Sequence, residues 1–305
     1  MRGRSVAAAL LATGMLAPLP AHAQSTSPAK ATAACNLSLG SVNAGGDHTS
    51  QGITAGTPPK ATAKGIEAAD RFAPGATRLH STWTIEPEVP ADWAHYGEVV
   101  LGSSMYQASY RTGAVESDAV TFHRIGGGWD QFSYFEESVY DEGAHAGSVA
   151  HTHYYGLRND GTLFRWRQDN GWKAAGSYPG FSAVKTMALI SQTRTYDTFL
   201  ATTKGGALYT IRIPISSPMK PIVKQVRSRT WQGAEQLIAE RCGQYGVLLL
   251  GIDKDTKSGY LYAVGHANGA STVINSLGKV PTTFDDPTYF RWTAVAFANP
   301  PLNGE

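Results

Sequence analysis

Trp129, Asp130 and Gln131 stand side by side, and related groups return downstream as Trp231-Gln232 and Phe284-Asp285-Asp286. A flat aromatic face suits the C–H groups of a sugar ring, and amide or carboxylate oxygens suit its hydroxyls. Trp129, Asp130, Gln131, Trp231, Gln232 and Asp285 are therefore candidate carbohydrate contacts. Repetition matters here, because shallow sites that engage together hold a surface far more tightly than one alone. The competing reading makes the aromatic rings packing wedges and leaves only their polar neighbours for a ligand.

A second candidate set is His145, His151 and His153, with Asp141 and Glu142 close by. On a strand, His-x-His points both imidazoles to one face, and imidazoles with a carboxylate suit zinc. The spacing matches no closed zinc motif, the cluster is assigned to an insertion, 136–150, and solvated loop histidines are the commoner reading. No metal and no cofactor are assigned. Glu136-Glu137, Asp141-Glu142 and Asp285-Asp286 offer carboxylates, but glycoside hydrolysis needs two that face each other across a sugar. Neighbours on a strand point to opposite faces, so such a pair has to come from different repeats. There is no G-x-S-x-G elbow, Walker loop or dinucleotide fingerprint, and Cys242 has no catalytic context. Non-catalytic binding is preferred; an extracellular hydrolase and a protein-interaction scaffold are the alternatives.

The elements that would position these residues are short strands. Runs such as 36–42, 162–167, 207–213 and 260–264 alternate or cluster apolar residues between Asn-Gly, Asp-Gly and Gly-Gly pairs, which supply the positive φ of tight hairpins. Leu163, Leu208 and Leu261 follow a recurring glycine at intervals of 45 and 53 residues. Trp129, Phe181, Trp231 and Phe284 recur at 52, 50 and 53. A period near 50 with several strands per repeat predicts an all-β propeller, with five blades of four antiparallel strands as the natural count. No Leu-Tyr strand follows Phe284, so an N-terminal strand is expected to complete the last blade. The stretch 235–241 reads as a helical turn.

The segment Ile125-Gly126-Gly127-Gly128-Trp129-Asp130-Gln131-Phe132 resembles the blade signature of tachylectin-type β-propellers. In that family an Ile-Gly-x-Gly-Trp-x-x-Phe turn precedes an Asp/Asn-Gly-x-Leu-Tyr-x-Val strand. Here the second half reads Asn159-Asp160-Gly161-Thr162-Leu163-Phe164 and, later, Gly259-Tyr260-Leu261-Tyr262-Ala263-Val264. The likeness spans about residues 66–298 and is strict around 125–132 and 259–264. It implies a five-bladed propeller and lectin activity toward N-acetylated sugars or surface glycans.

Arg2 and Arg4, an apolar run over 6–19 and Ala21-His22-Ala23 make residues 1–23 a secretory signal peptide. Residues 24–35 read as a disordered leader and 36–305 as one propeller domain, secreted and with no membrane insertion. Removing two of 26 basic residues and none of 24 acidic ones leaves a formal charge of 24 − 24, or zero. That excludes a basic footprint for nucleic acid and leaves glycans or glycoconjugates as partners. The only two cysteines, Cys35 and Cys242, are expected to form a disulfide in an oxidising compartment.

Overall fold

The computed structural model describes residues 34–305 apart from 90–91, 114–118, 144, 146 and 296–299. The expected signal peptide and all but the last two residues of the expected leader lie outside the described residues. Strand follows strand throughout. β1 (Asn36–Val42), β2 (His48–Thr54), β3 (Lys60–Ala61) and β4 (Gly65–Ala68) come first. A unit of β5 (Thr77–Val89), β6 (Asp92–Leu101), β7 (Ser104–Thr112) and β8 (Thr121–Gly127) follows. The next comprises β9 (Phe132–Asp141), β10 (Ala150–Arg158), β11 (Leu163–Gln168) and β12 (Trp172–Tyr178). Then come β13 (Val184–Gln192), β14 (Tyr196–Thr203), β15 (Leu208–Pro214) and β16 (Ile222–Arg227). Last are β17 (Gln236–Arg241), β18 (Val247–Asp253), β19 (Ser258–Val264) and β20 (Ile274–Lys279), and finally β21 (Thr288–Ala294). Among the described residues the helical pieces are two 3-10 turns, Trp129–Gln131 and Gly269–Ser271.

Within each unit the strands pair in chain order as antiparallel neighbours. The first strands pack in a closed cycle: β5 against β9, β9 against β13, β13 against β17, β17 against β21, and β21 against β5. This cyclic arrangement of antiparallel sheets is a β-propeller. The C-terminal β21 pairs antiparallel with β1, placing Leu39 opposite Arg291, and β1 pairs with β2. β2 in turn carries the short β3 and β4. β21 also runs parallel beside β5, with Trp292 opposite Trp83, so no edge is left open at the junction of the two chain ends. Cys35 and Cys242 are disulfide-bonded, with Cα atoms 5.4 Å apart, and tie the residue before β1 to the residue after β17.

Leu163, Leu208 and Leu261 lie on the third strands β11, β15 and β19, and all are fully buried. Each faces a second-strand partner: Leu157, Thr202 and Leu250. Burial of such a side chain contributes about 1.5–3 kcal/mol. Met105 opposite Val100, and His48 opposite Val42, match the places of Leu163 and Leu208, whereas on β19 that place falls to Gly259, opposite Ile252, and Leu261 lies two residues further along.

Residues 235–241 differ from the sequence expectation. They form the first strand β17, and Leu237, Ile238 and Ala239 are buried in succession. A first strand is covered on both faces, so its apolar run is continuous and resembles a buried helical turn by periodicity alone. In the lengthened segment β9 extends to Asp141 and β10 begins at Ala150, making a long hairpin.

Candidate functional site

Five aromatic residues occupy one repeated position. The backbone N–H of Trp129 donates to Ser103 O at 2.9 Å, that of Phe181 to Gly161 O at 2.8 Å, and that of Trp231 to Gly206 O at 2.9 Å. Phe72 donates to Gly46 O and Phe284 to Lys257 O, both at 3.0 Å. Each acceptor lies in the hairpin between the second and third strands of the preceding unit. Where the acceptor is glycine it is needed for space, as two of these hairpins show: a Cβ on Gly161 would stand 2.2 Å from Ser182 N, and one on Gly206 2.5 Å from Gln232 Oε1. Both also have positive φ, 84° and 86°. The rings fill the wedges between sheets and are at most 7% exposed. Trp129 packs against Phe132, Phe135, Trp166 and Trp172. Phe72 was not singled out in the sequence, because Phe72-Ala73-Pro74 lacks the Gly-rich context of the other turns.

The polar neighbours face outward. Asp130, Gln131, Gln232 and Asp285 are exposed, each in the turn that enters a new first strand. They are not equally available. Asp285 is paired with Lys64 Nζ at 3.3 Å, and the buried Asp286 beside it shares that ammonium at 3.0 Å. The Lys64 ammonium holds the Asp285 carboxyl below the usual carboxylate range.

Two clefts combine aromatic and polar groups. The first, of about 160 Å³, is lined by Thr230, Trp231, Gly233, Asp253, Tyr260 and Tyr262, among others. Trp231 and Tyr262 meet with ring centroids 4.7 Å apart at 42°, and Tyr260 is 41% exposed at the rim. Asp253 Oδ1 accepts from Thr256 N–H at 2.9 Å. Its other oxygen is on the Gly233 side, 3.1 Å from where a Cβ at that glycine would stand. Thr230 has φ of 83°, a conformation costly for a β-branched residue. Asp253 and Tyr260 escaped the sequence reading, which gave Trp231 no partner beyond its own turn.

The second cleft, of about 290 Å³, lies between the β5–β8 and β9–β12 units. Gln107, Arg124, Gln168 and Trp172 stand around Tyr154 and the buried Glu98. Trp172 stacks on Tyr154, with centroids 4.0 Å apart at 14°.

The carboxylates adjacent in sequence part as strand geometry requires. Glu136 accepts from Ser81 Oγ and the Tyr134 hydroxyl, and burial pushes its carboxyl up. Burial raises Glu137 well above the usual range, with the charges of Glu98 and Glu136 adding to it. Of the three candidate metal histidines, His145 is exposed in the hairpin loop, whereas His151 and His153 are on β10. His153 is 2% exposed, so the solvated-loop reading fails for it: on β10 it stands beside Asp197 of β14.

No family model and no curated protein matches the chain. Among solved structures, it is similar to a variant of the Aleuria aurantia lectin in complex with Fucα1-6GlcNAc, at 13% identity, TM-score 0.38, over 78% of this chain and 76% of that one. It is similar to the fucose-specific lectin from Aleuria aurantia at 9% identity, TM-score 0.43, over 75% and 74%. It is also similar to SapL1 lectin in complex with alpha methyl fucoside at 9% identity, TM-score 0.40, over 81% and 97%.

Proposed function

We propose that this chain is a secreted, non-catalytic, glycan-binding propeller of five blades, the composite sheet of β21, β1 and β2 being the fifth. The observation that carries the reading is the cleft in which Trp231, Tyr260 and Tyr262 form an aromatic wall beside the Asp253 carboxylate. That pairing of apolar face and charged acceptor fits the two sides of a sugar ring. The turn residues Asp130, Gln131, Gln232 and Asp285 add outward-facing polar groups at repeated positions, with Trp129 and Trp231 shaping the turns from beneath. The tachylectin-type signature over 125–132 favours N-acetylated sugars. The bonded cysteines accord with an oxidising, extracellular setting.

A glycan array carrying N-acetylated sugars and fucosides, run beside a panel of chromogenic glycosides, tests this. Wild-type protein is expected to bind multivalent glycan and release no chromophore. Asp253→Ala is expected to lose about 1.5–3 kcal/mol of binding at its cleft, a charge-assisted hydrogen bond's worth. Absence of binding to every glycan, or undiminished binding by Asp253→Ala together with an Asp130→Ala, Asp285→Ala double variant, overturns the assignment.

A further inference from the structure

His151 and His153 are two residues apart on β10 and point to one face, toward the start of β14 in the next unit, where Asp197 stands. One ligand atom from each of the three residues falls in a single group, all within 4.8 Å of one another. His153 Nδ1 is 4.0 Å from Asp197 Oδ2, too far for a hydrogen bond. His153 Nδ1 and His151 Nε2 are both buried without a hydrogen-bond partner. Buried polar nitrogens are rarely left unpaired, and two on residues grouped with one carboxylate call for a shared partner.

We propose that His151, His153 and Asp197 form a divalent metal site at the contact of the β9–β12 and β13–β16 sheets, with a ligand set suited to zinc. Zinc sits about 2.0–2.2 Å from imidazole nitrogen or carboxylate oxygen, so donors on one ion lie no more than about 4.3 Å apart. The 4.0 Å pair meets that limit, and the widest separation needs less than about 1 Å of side-chain closure. Asp197 is already oriented: Ser138 Oγ donates to its Oδ1 at 2.8 Å and the Tyr155 hydroxyl to its Oδ2 at 2.7 Å. Such outer hydrogen bonds fix a ligand for its ion. Arg165 opposes the ion. Its guanidinium donates to the carbonyls of Pro214, Ala175 and Ser216, and its positive charge acts on both histidines. Three protein ligands leave a further position for water, and the fixed cation beside them weakens the hold on the ion.

Tag-free, chelator-treated protein titrated with zinc by calorimetry tests the site, with cobalt(II) as a spectroscopic probe. One equivalent is expected to bind, and cobalt is expected to give the visible bands of a low-coordinate N/O site. His151→Ala, at the half-buried position, should weaken zinc at least tenfold while the protein stays folded by circular dichroism. Asp197→Asn should weaken it similarly, and His145→Ala should leave it unchanged. No binding by folded wild-type protein, or equal binding by folded His151→Ala, overturns the proposal. So does a loss seen with His145→Ala but not with His151→Ala.

Discussion

The Tyr154 hydroxyl donates to Glu98 Oε1 at 3.3 Å, joining β10 of one sheet to β6 of its neighbour beneath the Trp172 ring. Burial pushes the Glu98 carboxyl up to about 7, from an ordinary 4.5, and raises the Tyr154 hydroxyl as well, so the phenol remains a donor. A carboxyl whose folded pKa lies above its unfolded value stabilises the fold fully below the unfolded pKa. That contribution is lost as pH rises through the folded pKa, here between about 4.5 and 7. His80 and His153 work in the opposite direction. Burial lowers each from 6.5 to about 3, so the stability they lend above 6.5 is lost as pH falls toward 3. Glu98→Gln isolates the first effect: the variant should be more stable than wild type at pH 8 by about 1–3 kcal/mol, and equal to it near pH 4. Urea unfolding at the two pH values reads this directly. A difference independent of pH would remove Glu98 as its source.

The wedge position makes opposite demands on neighbouring residues. Trp129→Ala should cost about 3–5 kcal/mol by leaving a cavity among Phe132, Phe135 and Trp166. Asp130→Ala, one residue on and exposed, should stay within about 0.5 kcal/mol of wild type. Denaturant midpoints for the pair decide the matter, and equal losses would contradict the burial assigned to the indole.

The propeller was legible because its repeat survives where packing is strictest. Leu163 and Leu208 occupy the same third-strand place, two residues past the wedge's backbone acceptor, whereas Gly259 holds that place on β19 and Leu261 lies two residues further along; Trp129, Phe181, Trp231 and Phe284 share the same wedge. His48 and Phe72 hold those places in the sheet that joins the two chain ends, but no spacing rule marks a histidine in a leucine's position. The binding groups were less legible for a different reason. An aromatic residue has the same letter whether it plugs a wedge or faces a ligand, and burial alone separates the roles of Trp231 and Tyr260. Asp253 and Asp197 become meaningful only when the turn before β17 folds back toward β18 and β19, or when β10 meets β14 across a sheet boundary.

Reduction or removal of the disulfide should be felt strongly. Cys35 and Cys242 are 207 residues apart in sequence, and the chain-entropy model sets the loss for such a loop at about 5 kcal/mol. A Cys35→Ser, Cys242→Ser double variant is expected to unfold at markedly lower urea. An unchanged midpoint would show that the bond constrains the unfolded chain little.

Thr230 offers a test of stored strain beside the aromatic cleft. Thr230→Gly relieves a positive φ that a β-branched side chain resists, and should raise stability by about 1 kcal/mol after the entropy of the added glycine is counted. A lower midpoint would mean that the threonine side chain contributes more packing than its backbone costs.

The sheet that unites β21 with β1 and β2 imposes an order on biosynthesis. A ribosome delivers Cys35 and β1 first and β21 last, so the leading hairpin waits through most of translation for its neighbour. A hairpin alone is marginally stable in water, and Leu37, Leu39 and Ile53, all buried at the end, remain uncovered meanwhile. Completion is therefore a late, all-chain event, and nascent or proteolytically shortened molecules share one exposed strand on which they can mispair with each other.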